Sequence, residues 1–396
     1  MLASLLILMV SFSQEHQHLS GEDTIGDDIP NDIIKKILSQ GTSSPAYIAK
    51  PIPTGKDAYT EKNFLEDYQA WWRRFWRKNL KVLGFEEGSK QHGLAVTAIN
   101  SAWVDSEKFH VSLRRIRGEK PGNPFFDYLN GWVPSSSSTA QARKLLQASL
   151  SSLEKSKADP IAKVIVLQAV LSRDRQFYNE KYRDKMQNAF LESAEVREKS
   201  DPFRLKYWIK NADEYGIINT SNKKNLQHLT RNKNIHPYIR QICEGELYIK
   251  KAWEIRGSGW AYKVTPEGWE GFRHHMKLAK EALLEGYRLY PEHWAAPYQL
   301  IIISAAHGGI GPPRMWLDRA IASRVELKKA YSRYYSYIMP RWGGSHEMIH
   351  DFARECWETK AYHTEVPYMY LEMHEFIMKD YKPSADYLSQ KGVIEE

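Results

Sequence analysis

The stretch Ala279-Lys-Glu-Ala-Leu-Leu-Glu-Gly-Tyr-Arg-Leu-Tyr-Pro291 decides the fold of this chain. It combines small residues, at Ala279 and Gly286, with apolar residues at helical spacing and a proline that ends the helix. The pattern recurs 34 positions later, where Leu317, Ala320 and Val325 stand in the places of Leu283, Gly286 and Pro291. Small residues matter because two helices approach closely only where a side chain is short or absent. The period therefore indicates stacked pairs of helices.

Helical patterns continue from this stretch toward both ends of the chain. Ser138 or Thr139 can cap one helix, and Asp159-Pro160 and Asp201-Pro202 each open another. These helices alternate with short turns, and no tract is rich in strand patterns. The sequence thus predicts an all-α protein, with a repeat array of the α-solenoid type in its C-terminal half.

Several motifs follow one another around this period. They are Arg256-Gly-Ser-Gly-Trp260, Glu267-Gly-Trp-Glu-Gly-Phe272, Tyr334 to Tyr337 and Pro340-Arg-Trp-Gly-Gly-Ser345. With these motifs, the segment from about residue 236 to 356 resembles an uncharacterised bacterial domain family of unknown function with tetratricopeptide-like helix pairs. The resemblance covers roughly a third of the chain. It implies a fold and gives no activity, cofactor or catalytic residue.

The motif Pro340-Arg-Trp-Gly-Gly-Ser345 has the composition of a corner between two helices. Pro340 ends one helix, Gly343 and Gly344 both permit a positive φ, and Ser345 is expected to cap the next helix. On that helix, the apolar face is expected to consist of Ile349, Phe352, Ala353 and Cys356. The motif is therefore interpreted as architectural, with Gly343, Gly344 and Ser345 forming a structural turn.

The same stretch continues into His346-Glu-Met-Ile-His350, which fits the zinc-hydrolase pattern H-E-x-x-H. On a helix, two histidines four residues apart share a face and can bind one Zn²⁺, while Glu347 activates the metal-bound water. A zinc metallopeptidase with metal ligands His346 and His350 and catalytic Glu347 is thus an alternative function.

The residues around this pattern are less favourable to zinc. The extended form of the motif has a glycine and a third histidine where this chain has Ala353 and Cys356. A downstream glutamate can serve as third ligand instead, and Glu372 and Glu375 are candidates without a recognisable motif around them. The preferred interpretation is therefore a protein without a cofactor. The sequence leaves open whether the protein is an enzyme.

Tryptophans and an arginine of the C-terminal half suggest a binding surface instead. Trp260, Trp269, Arg341 and Trp342 are the candidate binding residues, because an aromatic ring and a planar cation can contact a ligand together. The alternative is that the large rings simply fill the core. The preferred prediction is a binding or scaffold module for an unidentified protein or peptide partner, which repeat arrays bind on a concave face.

The N-terminal part is divided by composition. Residues 1–13 contain an apolar run of signal-peptide length, which predicts an exported, periplasmic or extracellular protein. The basic residue that signal peptides usually have near Met1 is missing. Residues 14–60 are polar and rich in turn-forming residues, as in a flexible tether. An N-terminal helical region is expected at 61–230 and the tetratricopeptide-like domain at 231–382. Residues 84–134 are less regular, with Gly93–Ile99 as a possible strand.

Charge and cysteine content exclude some classes of protein. The chain has 396 residues with 56 basic and 48 acidic side chains, and its net charge of +8 is diffuse, so no nucleic-acid partner is expected. Two cysteines, Cys243 and Cys356, cannot form a disulfide scaffold, and they either pair or remain buried thiols. No segment after the signal approaches about 20 apolar residues, so no membrane span is expected in the mature chain.

Overall fold

A computed structural model describes residues 48–116, 122–132, 139–173, 180–195, 201–218, 223–258, 261–307, 310–381, 384–390 and 393. All regular secondary structure in these ranges is helical. The one β feature found there is an isolated antiparallel bridge between Glu195 and Ile235. The prediction of an all-α helical repeat array is confirmed. The signal peptide predicted at residues 1–13 lies outside the described residues.

The chain divides into two compact units. The N-terminal unit consists of residues 64–236. The array unit consists of residues 237–396 together with the chain up to Asn63, of which residues 48–63 are described. The sequence placed the corresponding boundary near residue 230.

Nine described helices precede residue 237. They are α1 (Glu61–Asn79), α2 (Lys90–Ser101), α3 (Ser106–Ile116), α4 (Pro124–Trp132), α5 (Thr139–Glu154), α6 (Ile161–Arg173), α7 (Glu180–Ser193), α8 (Pro202–Glu214) and α9 (Lys223–Arg231). Asp201 caps α8 by accepting a hydrogen bond from the backbone N–H of Arg204 at 3.2 Å, as the Asp-Pro pair predicts.

The strand predicted at Gly93–Ile99 is wrong, because these residues lie inside helix α2. Valine, threonine and isoleucine suggested a strand, but the residues that this helix buries, Ala95, Ala98 and Ile99, recur at helical spacing. The hydroxyl of Ser89 caps the helix by accepting from the N–H of His92 at 3.1 Å. Described parts of the irregular segment 84–134 are helical too, as α2, α3 and α4.

The core of the N-terminal unit is built around tryptophans of α1. Trp71, Trp72 and Trp76 are at most 1% exposed. Trp76 packs on Phe125 and Tyr128 of α4 with ring centroids 5.0 and 5.3 Å apart. Each large apolar side chain buried in this way contributes about 2 to 3 kcal/mol of hydrophobic stabilisation. Core packing therefore accounts for the aromatic spacing in α1.

The array unit contains eight described helices in consecutive pairs. They are α10 (Pro237–Arg256), α11 (Pro266–Leu289), α12 (Ala295–His307), α13 (Pro313–Ser323), α14 (Lys328–Tyr337), α15 (His346–Glu358), α16 (Met369–Met378) and the short α17 (Ala385–Leu388). Each helix from α10 to α13 packs on the next one in sequence, and α15 packs on α16. In addition, α10 contacts α12, α12 contacts α14 and α14 contacts α16. The first helices of successive pairs therefore form one continuous layer, as in a helical repeat array.

Small residues lie where the sequence analysis requires close helix approach. A Cβ added at Gly286 would lie 3.2 Å from Cδ1 of Ile242, so α11 passes close to α10 at this point. Gly245 of α10, which the sequence analysis did not single out, is tighter, because its added Cβ would lie 2.5 Å from Cγ of Leu283. Ala279 and Ala320 are fully buried. The 34-residue period thus marks real packing positions.

Residues 48–60 belong to the predicted tether, but the structure places them against the array. Ile52, Ala58 and Thr60 are buried, and the backbone N–H of Val325 donates to the carbonyl oxygen of Tyr59 at 2.9 Å. The prediction of a tether is therefore wrong for this described part, because its few apolar residues find a complementary surface. Residues 14–47 lie outside the described residues.

The two cysteines, Cys243 and Cys356, are buried and are not bonded to each other. Of the two alternatives left by the sequence, the structure therefore supports buried thiols. Among the described helices, none is both long enough and apolar enough to cross a membrane.

Candidate functional site

The corner between α14 and α15 depends on two glycines in different ways. Pro340–Trp342 form a single turn of 3₁₀ helix, and Gly343 follows with φ of 86°. Gly344 does not adopt the positive φ that glycine permits. Glycine is required at this position because there is no room for a side chain. An added Cβ would lie 2.0 Å from the carbonyl oxygen of Ile338. The corner is therefore fixed by one left-handed residue and one close backbone contact.

Ser345 caps α15, as predicted. Its φ and ψ are −150° and 162°, and its hydroxyl accepts from the backbone N–H of Met348 at 3.1 Å. His346 is therefore the first residue of the helix. The side chains that α15 buries are the four predicted ones, Ile349, Phe352, Ala353 and Cys356. His346 and His350 are half-buried at the margin of that face, and Glu347 is exposed.

The histidines of the H-E-x-x-H pattern contact the end of the array. Nε2 of His346 lies 3.2 Å from a carboxylate oxygen of Asp380, and its Nδ1 lies 3.3 Å from the hydroxyl of Tyr381. Nε2 of His350 lies 3.5 Å from the hydroxyl of Tyr387. Both histidines therefore help to hold the segment after α16 against α15.

One further histidine completes this cluster. Nδ1 of His374 lies 2.7 Å from the hydroxyl of Tyr387, and the rings of His350 and His374 are 4.8 Å apart. Tyr387 is 1% exposed, so this contact anchors α17. Sequence reasoning missed His374 and Tyr387, because they lie on separate helices at no motif spacing from His350.

Zinc would need three protein ligands that converge. Within the ranges that the structure describes, no group of three or more His, Cys, Asp or Glu side chains has such an arrangement. Of the two glutamates considered as third ligand, Glu372 forms an ion pair with Lys328 and Glu375 is exposed. A zinc site at His346 and His350 remains a prediction from the motif.

Of the four predicted binding residues, the structure describes the side chains of Trp269 and Trp342, and these two belong to different groups of side chains. Trp260 and the side chain of Arg341 lie outside the described part. Trp269 is half-buried on α11, where the guanidinium of Arg256 lies over its ring at 5.0 Å and over Trp253 at 5.4 Å. Burial lowers the pKa of Arg256 to about 10. Trp269 thus contributes to a local stack between α10 and α11.

Trp342 belongs to a different group of side chains, next to the layer of first helices. Its ring lies 5.0 Å from that of Tyr337 at the end of α14. Arg333, also on α14, lies over the ring of Tyr298 at 3.7 Å. Lys329 lies 4.0 Å from the ring of Trp294 and 4.5 Å from that of Tyr298. We refer to these residues as the aromatic–cation row, which consists of Trp294, Tyr298, Lys329, Arg333, Tyr337 and Trp342.

Hydrogen bonds hold the row in place across three helices. Nη1 of Arg333 donates to the side-chain oxygen of Gln299 at 2.5 Å and to the carbonyl oxygen of Tyr298 at 3.2 Å. Gln299 in turn donates to the carboxylate of Glu246 on α10. Arg333 is therefore connected to the first helices of both preceding pairs.

Exposure within the row is graded. Tyr298, Lys329, Arg333 and Trp342 are half-buried, whereas Trp294 and Tyr337 are buried. Burial raises the pKa of Tyr337, so its hydroxyl stays neutral at physiological pH. The row presents ring faces and two positive charges on a rigid base.

Sequence reasoning found Trp342 but missed the cations of the row. A signal was present, because Lys329, Arg333 and Tyr337 are four residues apart and so share one face of α14. Trp294 and Tyr298 have the same spacing at the start of α12. What the sequence lacked was the information that these two helices are neighbours.

Comparisons of this chain with models of protein families, with curated proteins and with solved structures found no match.

Proposed function

We propose that the array unit is a protein- or peptide-binding module and that the aromatic–cation row is its binding surface. The observation that carries this proposal is the stacking of both Lys329 and Arg333 on the half-buried ring of Tyr298, on the adjacent helix. Aromatic and arginine side chains of this kind supply most of the binding energy at many protein interfaces. The row also forms part of the continuous layer of first helices, which gives a partner an extended surface.

Pre-organisation supports the same proposal. A side chain that is already held by stacking and hydrogen bonds loses little conformational entropy when a partner binds. Arg333 meets this condition through Gln299 and the Tyr298 carbonyl. Because both cations are half-buried, contacts with them are less screened than those of fully exposed charges. If the predicted signal peptide is functional, the partner is an exported protein or peptide.

A site-specific cross-link tests this proposal. A photo-reactive amino acid replaces Glu292, which is exposed and lies two residues before Trp294, so the row itself stays intact. The full chain is then irradiated in an extract of the native organism. We expect one predominant cross-linked partner, identified by mass spectrometry. Replacement of Lys329 by alanine should reduce its yield about fivefold or more, which corresponds to a loss of about 1 kcal/mol or more.

Arg319→Ala is the matched control. Arg319 is also half-buried and lies over a tryptophan ring, that of Trp316, at 4.9 Å, but it is on α13, a second helix. This variant should leave the cross-link unchanged. Equal losses in the Lys329 and Arg319 variants, or no specific adduct with either, would contradict a binding role for the row.

A further inference from the structure

Two charged side chains on α13 form hydrogen bonds with the backbone of a single residue, Lys50. The backbone N–H of Lys50 donates to a carboxylate oxygen of Asp318 at 2.9 Å. The carbonyl oxygen of Lys50 accepts from Nη2 of Arg314 at 2.8 Å. The side chain of Lys50 is exposed. This surface therefore recognises the peptide backbone at residue 50 and ignores its side chain.

The charged groups of this surface are held by contacts of their own. Nε of Arg314 donates to the other oxygen of Asp318 at 2.7 Å. Nη1 and Nη2 of Arg314 form a bidentate pair with Glu355 of α15 at 2.7 and 2.6 Å. The side chain of Asp318 is only 3% exposed. Because charge-assisted bidentate pairs are geometrically strict, the donor and acceptor for a peptide are fixed in position without it.

The segment that occupies the surface is suited to an extended conformation. Pro51 and Pro53 restrict the backbone and disfavour helix for the residues before them. Since proline has no N–H, neither residue needs a hydrogen-bond acceptor there. Between them, Ile52 is 5% exposed and supplies an apolar anchor. The ligand is thus an extended peptide with an apolar residue two positions after the residue whose backbone is hydrogen-bonded.

A second set of contacts holds the other end of the segment. The N–H of Val325 donates to the carbonyl oxygen of Tyr59 at 2.9 Å. The carboxylate of Glu326 accepts from the N–H of Glu61, and Arg324 forms an ion pair with the Glu61 side chain. These contacts also involve mainly the backbone of the segment. Contacts with the segment therefore reach from residue 50 to residue 59, and the next contacts are made by Glu61, the first residue of α1.

We propose that the surface formed by Arg314, Asp318 and Glu355 is a binding site for an extended, proline-containing peptide. Residues 48–60 of the same chain are its resident ligand, and they exchange with free peptide of the same chemistry. This site uses second helices α13 and α15, so it is independent of the aromatic–cation row on the first helices.

A labelled peptide with the sequence of residues 48–60 tests the proposal on the full chain by fluorescence anisotropy. Ile52→Asp in the protein removes the apolar anchor of the resident segment and leaves the surface intact. We expect this variant to bind the peptide about tenfold or more tightly than the unaltered chain, where the tethered segment competes at high effective concentration. Adding Asp318→Asn to Ile52→Asp should weaken binding about tenfold or more, because the charged acceptor is lost.

Modified peptides separate backbone recognition from other contacts. Methylation of the backbone nitrogen of the peptide's Lys50 should abolish binding to the Ile52→Asp protein, whereas alanine at that position should bind normally. If the folded Ile52→Asp protein, verified by circular dichroism, binds no peptide, or if the methylated and unmethylated peptides bind equally, the proposal is wrong.

Hydrogen exchange on the unaltered chain gives a measurement that does not depend on a variant. The amides of Lys50 and Val325 should exchange at similar rates and faster than the interior amides of α13, because release of the segment exposes both amides. Exchange of these two amides only through global unfolding would show that the segment does not exchange, and would overturn the proposal.

Discussion

Replacement of Gly344 by alanine tests whether the corner before α15 is architectural. An added Cβ would lie 2.0 Å from the carbonyl oxygen and 2.4 Å from the carbonyl carbon of Ile338. Both atoms belong to the backbone, so a rotamer change cannot relieve the contact and the end of α14 must move. Overpacking costs typically 1 to 3 kcal/mol, and a rigid backbone neighbour places this variant near about 3 kcal/mol.

Three other glycines of the chain supply the comparison. Gly343→Ala should cost about 1 to 2 kcal/mol, because φ of 86° is strained for a residue with a Cβ. Gly257 has φ of 78° and open space around its added Cβ, so Gly257→Ala should show the cost of the left-handed conformation alone. Gly93→Ala, inside α2 and also without steric contact, should stabilise by up to about 1 kcal/mol.

Because the chain has two units, a single unfolding midpoint is a poor measure of the change. Hydrogen exchange of amides in α15 reports on the array locally and is the appropriate assay. We expect the free energy of opening to decrease in the order wild type, Gly343→Ala, Gly344→Ala. If Gly344→Ala lies within about 0.5 kcal/mol of wild type, the surface-substitution range, the steric argument is refuted.

Three further predictions concern titration, thiols and metal. Burial raises the pKa of Asp127 from 3.8 to about 6, so this carboxyl binds its proton more tightly in the folded state. The unfolding free energy should therefore fall by up to about 3 kcal/mol as pH rises from about 4 to above 6, and urea titrations of Asp127→Asn should lack most of this decrease. Burial raises the pKa of the thiols of Cys243 and Cys356, so a thiol reagent should label neither in the native protein and both in urea; labelling of either native thiol would contradict their placement. Elemental analysis of the purified protein should find no stoichiometric zinc, whereas one equivalent lost in His346→Ala and in His350→Ala would favour the hydrolase alternative.

Features that depend on local spacing could be predicted from the sequence. The cap at Ser345 and the buried face that includes Ile349 and Phe352 follow from neighbours within two turns of one helix. The strand at Gly93–Ile99 was wrong for a related reason, because β-branched residues favour strands only weakly and the spacing of Ala95 and Ala98 determined the outcome.

Features that join distant parts of the chain could not be predicted. Arg333 and Tyr298 become neighbours only once α12 and α14 pack side by side. Lys50 and Asp318 are 268 positions apart, and nothing in a polar, proline-rich segment indicates which surface it will contact. The composition of residues 48–60 suggested a tether because composition reports how much apolar surface a segment has, and not where that surface fits.

The long separation between Lys50 and Asp318 has a consequence for synthesis. Residues 48–63 belong to the array unit but are translated before the whole N-terminal unit, residues 64–236. At about 5 to 20 residues per second, the ribosome needs roughly 13 to 54 s to make the 268 positions between the two contacting residues. For that time the segment has no array to bind, so the array unit can reach its final packing only after most of the chain has been made.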